Sequence, residues 1–302
     1  MASSSNPAFA NPAFQEQRPG LTPPAAQTAF SATTAQATDA ALHAQLEGAY
    51  ASPSASAIET GRMSVEDTVL KTVALFGILV VTAIVGWIWT MAGVTPQNPE
   101  AISIAPWLIG ALGGFVLAMV VTFTSRKKVR PALIFAYAAF EGLFIGGISA
   151  YFEYLFPGIV VQATLATLAV VGVTLALFAS GKVRASARAT KVFMIAMIGY
   201  LVFSLVNVVM MMFGAFPEGS GGAFGMHSSI EIMGIPLGVI VGVVVVIMAA
   251  YSLVLDFDSI QQGVRNGAPR EYGWLGGFGI MVTVVWLYVE ILRMIAILRS
   301  NN

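Results

Sequence analysis

From about residue 69 onward the chain is a succession of long apolar runs separated by short polar connections. Each run approaches the roughly 20 apolar residues a helix needs to cross a bilayer. The pattern predicts seven spanning helices, at about 69–92, 104–124, 131–152, 159–179, 192–213, 236–264 and 273–298. Ser64-Val-Glu-Asp67 offers the first helix an N-cap at Ser64 and an acid at its third position. Gly181 stands where the fourth must stop. Residues 1–67 have no sustained apolar period and are rich in Ala, Ser, Thr, Pro and Gln. They read as a disordered tail, with residues 68–302 as the transmembrane domain. The tail opens with a short repeat, Asn6-Pro-Ala-Phe9 and Asn11-Pro-Ala-Phe14, which is either a low-complexity accident or a docking motif. No basic start followed by an apolar core precedes it, so no signal peptide is expected.

Composition agrees with the pattern. The chain is 57% hydrophobic and 10% charged, against about 25% charged in soluble domains. The expected class is all-α, a polytopic membrane protein whose immediate partner is the lipid bilayer. Formal charge is zero, so no nucleic-acid partner is expected. The chain has no cysteine and two histidines, His43 and His227, which argues against thiolate or histidine metal centres. No nucleophile–base set or metal motif is present, so neither an enzyme nor a bound cofactor is expected.

Charge in the connections sets the orientation. Arg126, Lys127, Lys128 and Arg130 follow the second span, Lys182, Arg184, Arg188 and Lys191 the fourth, and Arg265 and Arg270 the sixth. The connections after the first, third and fifth spans hold no Lys or Arg. The positive-inside rule then puts the N-terminus in the cytoplasm and the C-terminus outside. The connection 214–234 is the longest on the outer side, and reads as a flexible connector or a mobile lid.

The chemistry rests with acids inside apolar runs, where charge is costly and points to function. Asp256 and Asp258 end the sixth span, in Leu253-Val-Leu-Asp-Phe-Asp-Ser-Ile-Gln-Gln262. They point to opposite sides of a helix. Ser252, Asp256, Ser259 and Gly263 share one small, polar stripe, so Asp256 is expected to face inward and Asp258 the cytoplasmic interface. Glu290 lies within the seventh span, where Arg293 can form an i, i+3 pair with it. Glu141 lies in the third span beside Gly142, Gly146 and Gly147, which permit close helix approach, and could face the same interior. Asn207 reads as interhelical glue, and Met210–Met212 as packing or lipid-facing material. Extending the sixth and seventh helices below the membrane would let Asp256 and Glu290 meet at one depth. Two facing acids would share a proton.

Leu255-Asp-Phe-Asp-Ser-Ile260, Leu287-Tyr-Val-Glu-Ile-Leu292 and Glu141-Gly-Leu-Phe-Ile-Gly146 together resemble the Bax inhibitor family, in its bacterial YccA-like branch, over about residues 65–300. The resemblance implies a last helix wrapped by the other six and a plasma-membrane location. It implies a facing acid pair, Asp256 and Glu290, that senses protons and gates a calcium leak, with calcium held weakly and in transit. Arg126 is the nearest match to the basic residue that contacts the acids in that family; Asp258 and Arg293 are further gating candidates. Two departures are visible, a Glu at position 290 where the family has Asp, and a longer connection between the last two spans. Family members also suggest an interaction protein that modulates a membrane protease or a stress response. A proton-coupled transporter is the third reading.

Overall fold

The computed structural model describes residues 61–98, 100–214 and 224–300. Its long helices are α1 (Val65–Met91), α2 (Ala105–Thr124), α3 (Pro131–Leu155), α4 (Ile159–Ala179) and α5 (Ala187–Met212). After the short α6 (Met226–Ser229) come β1 (Glu231–Ile232), β2 (Ile235–Pro236), α7 (Leu237–Arg265) and α8 (Tyr272–Ser300). Seven of these helices are long and apolar enough to span a bilayer. The chain is an all-α polytopic membrane protein.

Helix ends follow local chemistry. The Ser64 side chain accepts a hydrogen bond from the Asp67 amide at 3.1 Å, the cap read from the sequence. Pro131 opens α3 at a position where no amide donor is missed. The turn from α3 into α4 is held by Glu153, whose carboxylate accepts from the Gly158 and Val160 amides at 2.6 and 3.0 Å.

Residues 61–67, placed in the tail by the sequence reading, are ordered and packed. The Met63 amide donates to the Ala268 carbonyl at 2.8 Å and the Arg270 amide to that of Gly61 at 2.9 Å. Residues 61–67 therefore belong with the helical bundle; the Asn-Pro-Ala-Phe repeats lie outside the described residues. So do residues 215–223 of the connection after α5, while 224–236 folds into α6 and the β1–β2 hairpin.

Small residues set the packing. The backbone of α3 meets α1 so closely that a Cβ at Gly146 would collide with the Ala83 carbonyl oxygen. Gly147 approaches the Trp107 amide on α2 in the same way. The most buried of the seven long helices is α8, which packs on α7, α1, α4 and α3. The main partner of α2 is α3. α5 is the least buried; Phe193 packs with Met248 and Leu255, and polar contacts add to this. Tyr251 Oη lies 3.0 Å from Thr190 Oγ1, and Tyr200 reaches across to α8. Met211 and Met212 are exposed on it, as expected of lipid-facing material.

Candidate functional site

The hairpin of α7 and α8 positions the acids. Asn266 to Glu271 connect the two helices, so Arg265 and Tyr272 lie at about one level. Antiparallel packing then pairs residues whose numbers sum to roughly 537. Three contacts fit: Ile260 lies against Gly276, Met294 against Gly242, and Ile297 against Gly238.

Asp256 is wholly buried at this contact, 0% exposed. Ser252, Ser259 and Gly263 are buried with it, so the polar stripe read from the sequence does face inward. Thr283 Oγ1 on α8 donates to Asp256 Oδ2 at 2.6 Å. Ser252 Oγ lies 3.5 Å from the same threonine hydroxyl. Asp258, on the other side of α7, is half-buried and accepts from Gln262 Nε2 at 2.6 Å.

Glu290 is also buried, at 3% exposure, but in different company. Arg293 forms the i, i+3 ion pair with its Oε1. Tyr200 Oη on α5 donates to its Oε2 at 2.9 Å. The guanidinium of Arg293 lies 6.0 Å from the Tyr200 ring centroid.

The two acids do not face each other. Asp256 is nine residues above the hairpin turn and Glu290 eighteen above it, so they differ in depth by about 13 Å at 1.5 Å per residue. Lengthening both helices downward leaves that offset unchanged, because the same turn fixes where each begins. The expectation of a facing, proton-sharing pair is therefore corrected to two separate settings. One calcium ion cannot bridge them, since its oxygen ligands lie at about 2.3–2.6 Å. Among the described residues no group of three or more His, Cys, Asp or Glu is placed to hold a metal.

One further expectation is revised. Glu141 faces α2: its Oε2 lies against Gly114, and it shares a hydrogen bond with Tyr137 one turn earlier. It does not join the α7–α8 contact. Arg126 is exposed in the connection between α2 and α3. Asn207 ties α5 to the start of α6: it donates to the Phe224 carbonyl at 3.2 Å and accepts from the Met226 amide at 2.7 Å.

Four further residues make notable polar contacts: Thr283, Tyr200 and Lys71, which the sequence reading did not weigh, and His227, which it counted only against a metal centre. Thr283 and Tyr200 hold the acids. His227, on α6, is buried against Phe203, and its Nε2 has no hydrogen-bond partner among the described residues. Burial, then the Arg293 charge, lowers its pKa to about 4. Lys71 is 8% exposed near the start of α1, where it pairs with Asp67 at 2.5 Å and donates to the Arg270 carbonyl at 2.6 Å. Arg270 pairs with the same Asp67 at 2.8 Å, and that pairing raises the Arg270 pKa. A single lysine inside an otherwise apolar run was the signal available for Lys71.

A family model described as Bax inhibitor 1 like matches residues 6–300. The chain belongs to that family. The match begins ahead of the first span and takes in both Asn-Pro-Ala-Phe repeats, so the tail is not outside it. Searches of curated proteins and of solved structures give no match.

Proposed function

We propose that this Bax inhibitor-like protein is a pH-responsive calcium leak in which Asp256 is the titrating group. One observation carries the reading: a carboxyl wholly buried where α7 meets α8, held by a hydroxyl from the opposite helix. An ionised carboxylate only accepts hydrogen bonds, whereas a protonated one must also donate. A change of protonation therefore forces the Asp256, Thr283 and Ser252 contacts to rearrange. That rearrangement biases two packings of α7 on α8. A parted interface exposes one hard oxygen ligand, which suits weak, transient calcium contact rather than a storage site.

Glu290 has a supporting part in this proposal. With Arg293 and Tyr200 it ties α5 to α8 and leaves Asp256 to sense protons. The basic connections after α2, α4 and α7 support an orientation with the N-terminus in the cytoplasm and the C-terminus outside.

The test is calcium flux into liposomes against pH for wild type and Asp256→Asn. Loss of the pH dependence in the variant supports the reading; an unchanged profile rejects it. The reach of the family match into the tail favours a second reading, in which residues 6–60 recruit a membrane protein such as a protease. Deleting residues 1–60 would then abolish the cellular phenotype while leaving flux intact.

A further inference from the structure

A groove of about 590 Å³ opens on the side of the bundle, apart from both acids. α1 and α4 each pack on α8 and α3, and the groove lies between them. Its floor exists because the residues there are small: Ala83, Gly146 and Ser149 leave space that larger side chains would fill. Gly146 cannot be larger, since the α1 backbone already abuts it.

We propose that this groove is a binding site for one lipid acyl chain. Position limits the candidates to bilayer components, because every wall belongs to a membrane-spanning helix. Length fits a single leaflet. On α1 the groove runs from Phe76 to Ile88, about 18 Å at 1.5 Å per residue. Half of the bilayer's hydrocarbon core is about 15 Å. The walls run from the middle of α1 and α8 toward the end carrying the α1–α2 connection, where the α3 and α4 residues of the lining lie. The lining also selects a chain over a headgroup. No charged residue lines the groove. The Ser149 and Tyr288 hydroxyls at its floor satisfy each other at 2.7 Å. An apolar recess of this kind stays dry, and left empty it would forfeit dispersion contacts along every wall. This inference does not depend on the ion path.

The experiment uses full-length protein from phosphatidylcholine vesicles, extracted into detergent and weighed by native mass spectrometry. Wild type is expected to retain one phospholipid. Thr164→Trp and Val80→Trp put an indole into the groove from opposite walls. Each should lower the retained lipid by roughly tenfold, because the ring takes the surface against which the chain packs. Val173→Trp, at an exposed position on α4 outside the groove, should retain it. Elution volume and Tm check that the variants fold. A readout on wild type needs no substitution: excess oleic acid should displace the phospholipid, and glycerophosphocholine should not. No retained lipid on wild type, retention by both groove variants, or displacement by the headgroup analogue would each overturn the proposal.

Discussion

Replacing Thr283 by Val tests the contact on which the Asp256 setting rests. The two side chains are nearly isosteric, so the change opens no cavity; it removes the hydroxyl that donates to Asp256 Oδ2 at 2.6 Å. Thr283 is 3% exposed and Asp256 0%, so water does not readily replace the lost donor. Removing one partner from a buried polar group costs about 1–3 kcal/mol. The Ser252 hydroxyl, 3.5 Å from Thr283, can shift toward the carboxyl and pulls the figure to the lower half of that range. Thr283→Ser is the control. It keeps the hydroxyl and loses one methyl, worth about 0.8 kcal/mol or somewhat more with the small void left behind. Thermal unfolding in detergent reads both changes, at about 2–4 °C per kcal/mol for a domain of this size. Valine should therefore lower Tm more than serine. In an Asp256→Asn background the penalty for valine should shrink, since an amide can donate as well as accept. Serine as harmful as valine, or a valine penalty undiminished in the Asp256→Asn background, would refute the contact's role.

Three further outcomes follow from the same geometry. Gly146→Ala drives a Cβ into the Ala83 carbonyl and should cost at least the upper end of the roughly 1–3 kcal/mol typical of overpacking, read as lost folded yield. His227 is neutral in the fold with a pKa of about 4, below its unfolded value of about 6.5. Its contribution to stability is complete above about pH 6.5 and is lost as pH falls toward 4; a Tm-against-pH series should show that slope, and His227→Gln should flatten it. Asp67→Asn weakens the pairs to both Lys71 and Arg270, whereas Arg270→Ala breaks one, so the first should lower Tm more.

Much of the fold was legible because hydrocarbon imposes a simple rule. Uninterrupted apolar runs of the right length mark spans, and α2 and α4 match their expected ranges to within a residue at each end. The Ser64 cap, the inward stripe on α7 and the close approach at Gly146 were readable for similar reasons, since each is a local or periodic pattern. The pairing of Asp256 with Glu290 was misread because a motif reports which residues are notable, not their depth. Depth was available from another source: the six residues between Arg265 and Tyr272 fix the register of the hairpin. Tyr200 and His227 were illegible. Nothing in the sequence tells which face of α5 meets α8, or that His227 on α6 packs against Phe203 of α5.

The central claim is that Asp256 and Glu290 act separately, with Asp256 alone setting the response to protons. Calcium flux against pH in liposomes, run on wild type, Asp256→Asn and Glu290→Gln, addresses it most directly. Separate settings predict a flat profile for Asp256→Asn and a wild-type midpoint, at altered amplitude, for Glu290→Gln. Equal loss of the pH response in both variants would mean that the two acids titrate as one unit, and would contradict the account.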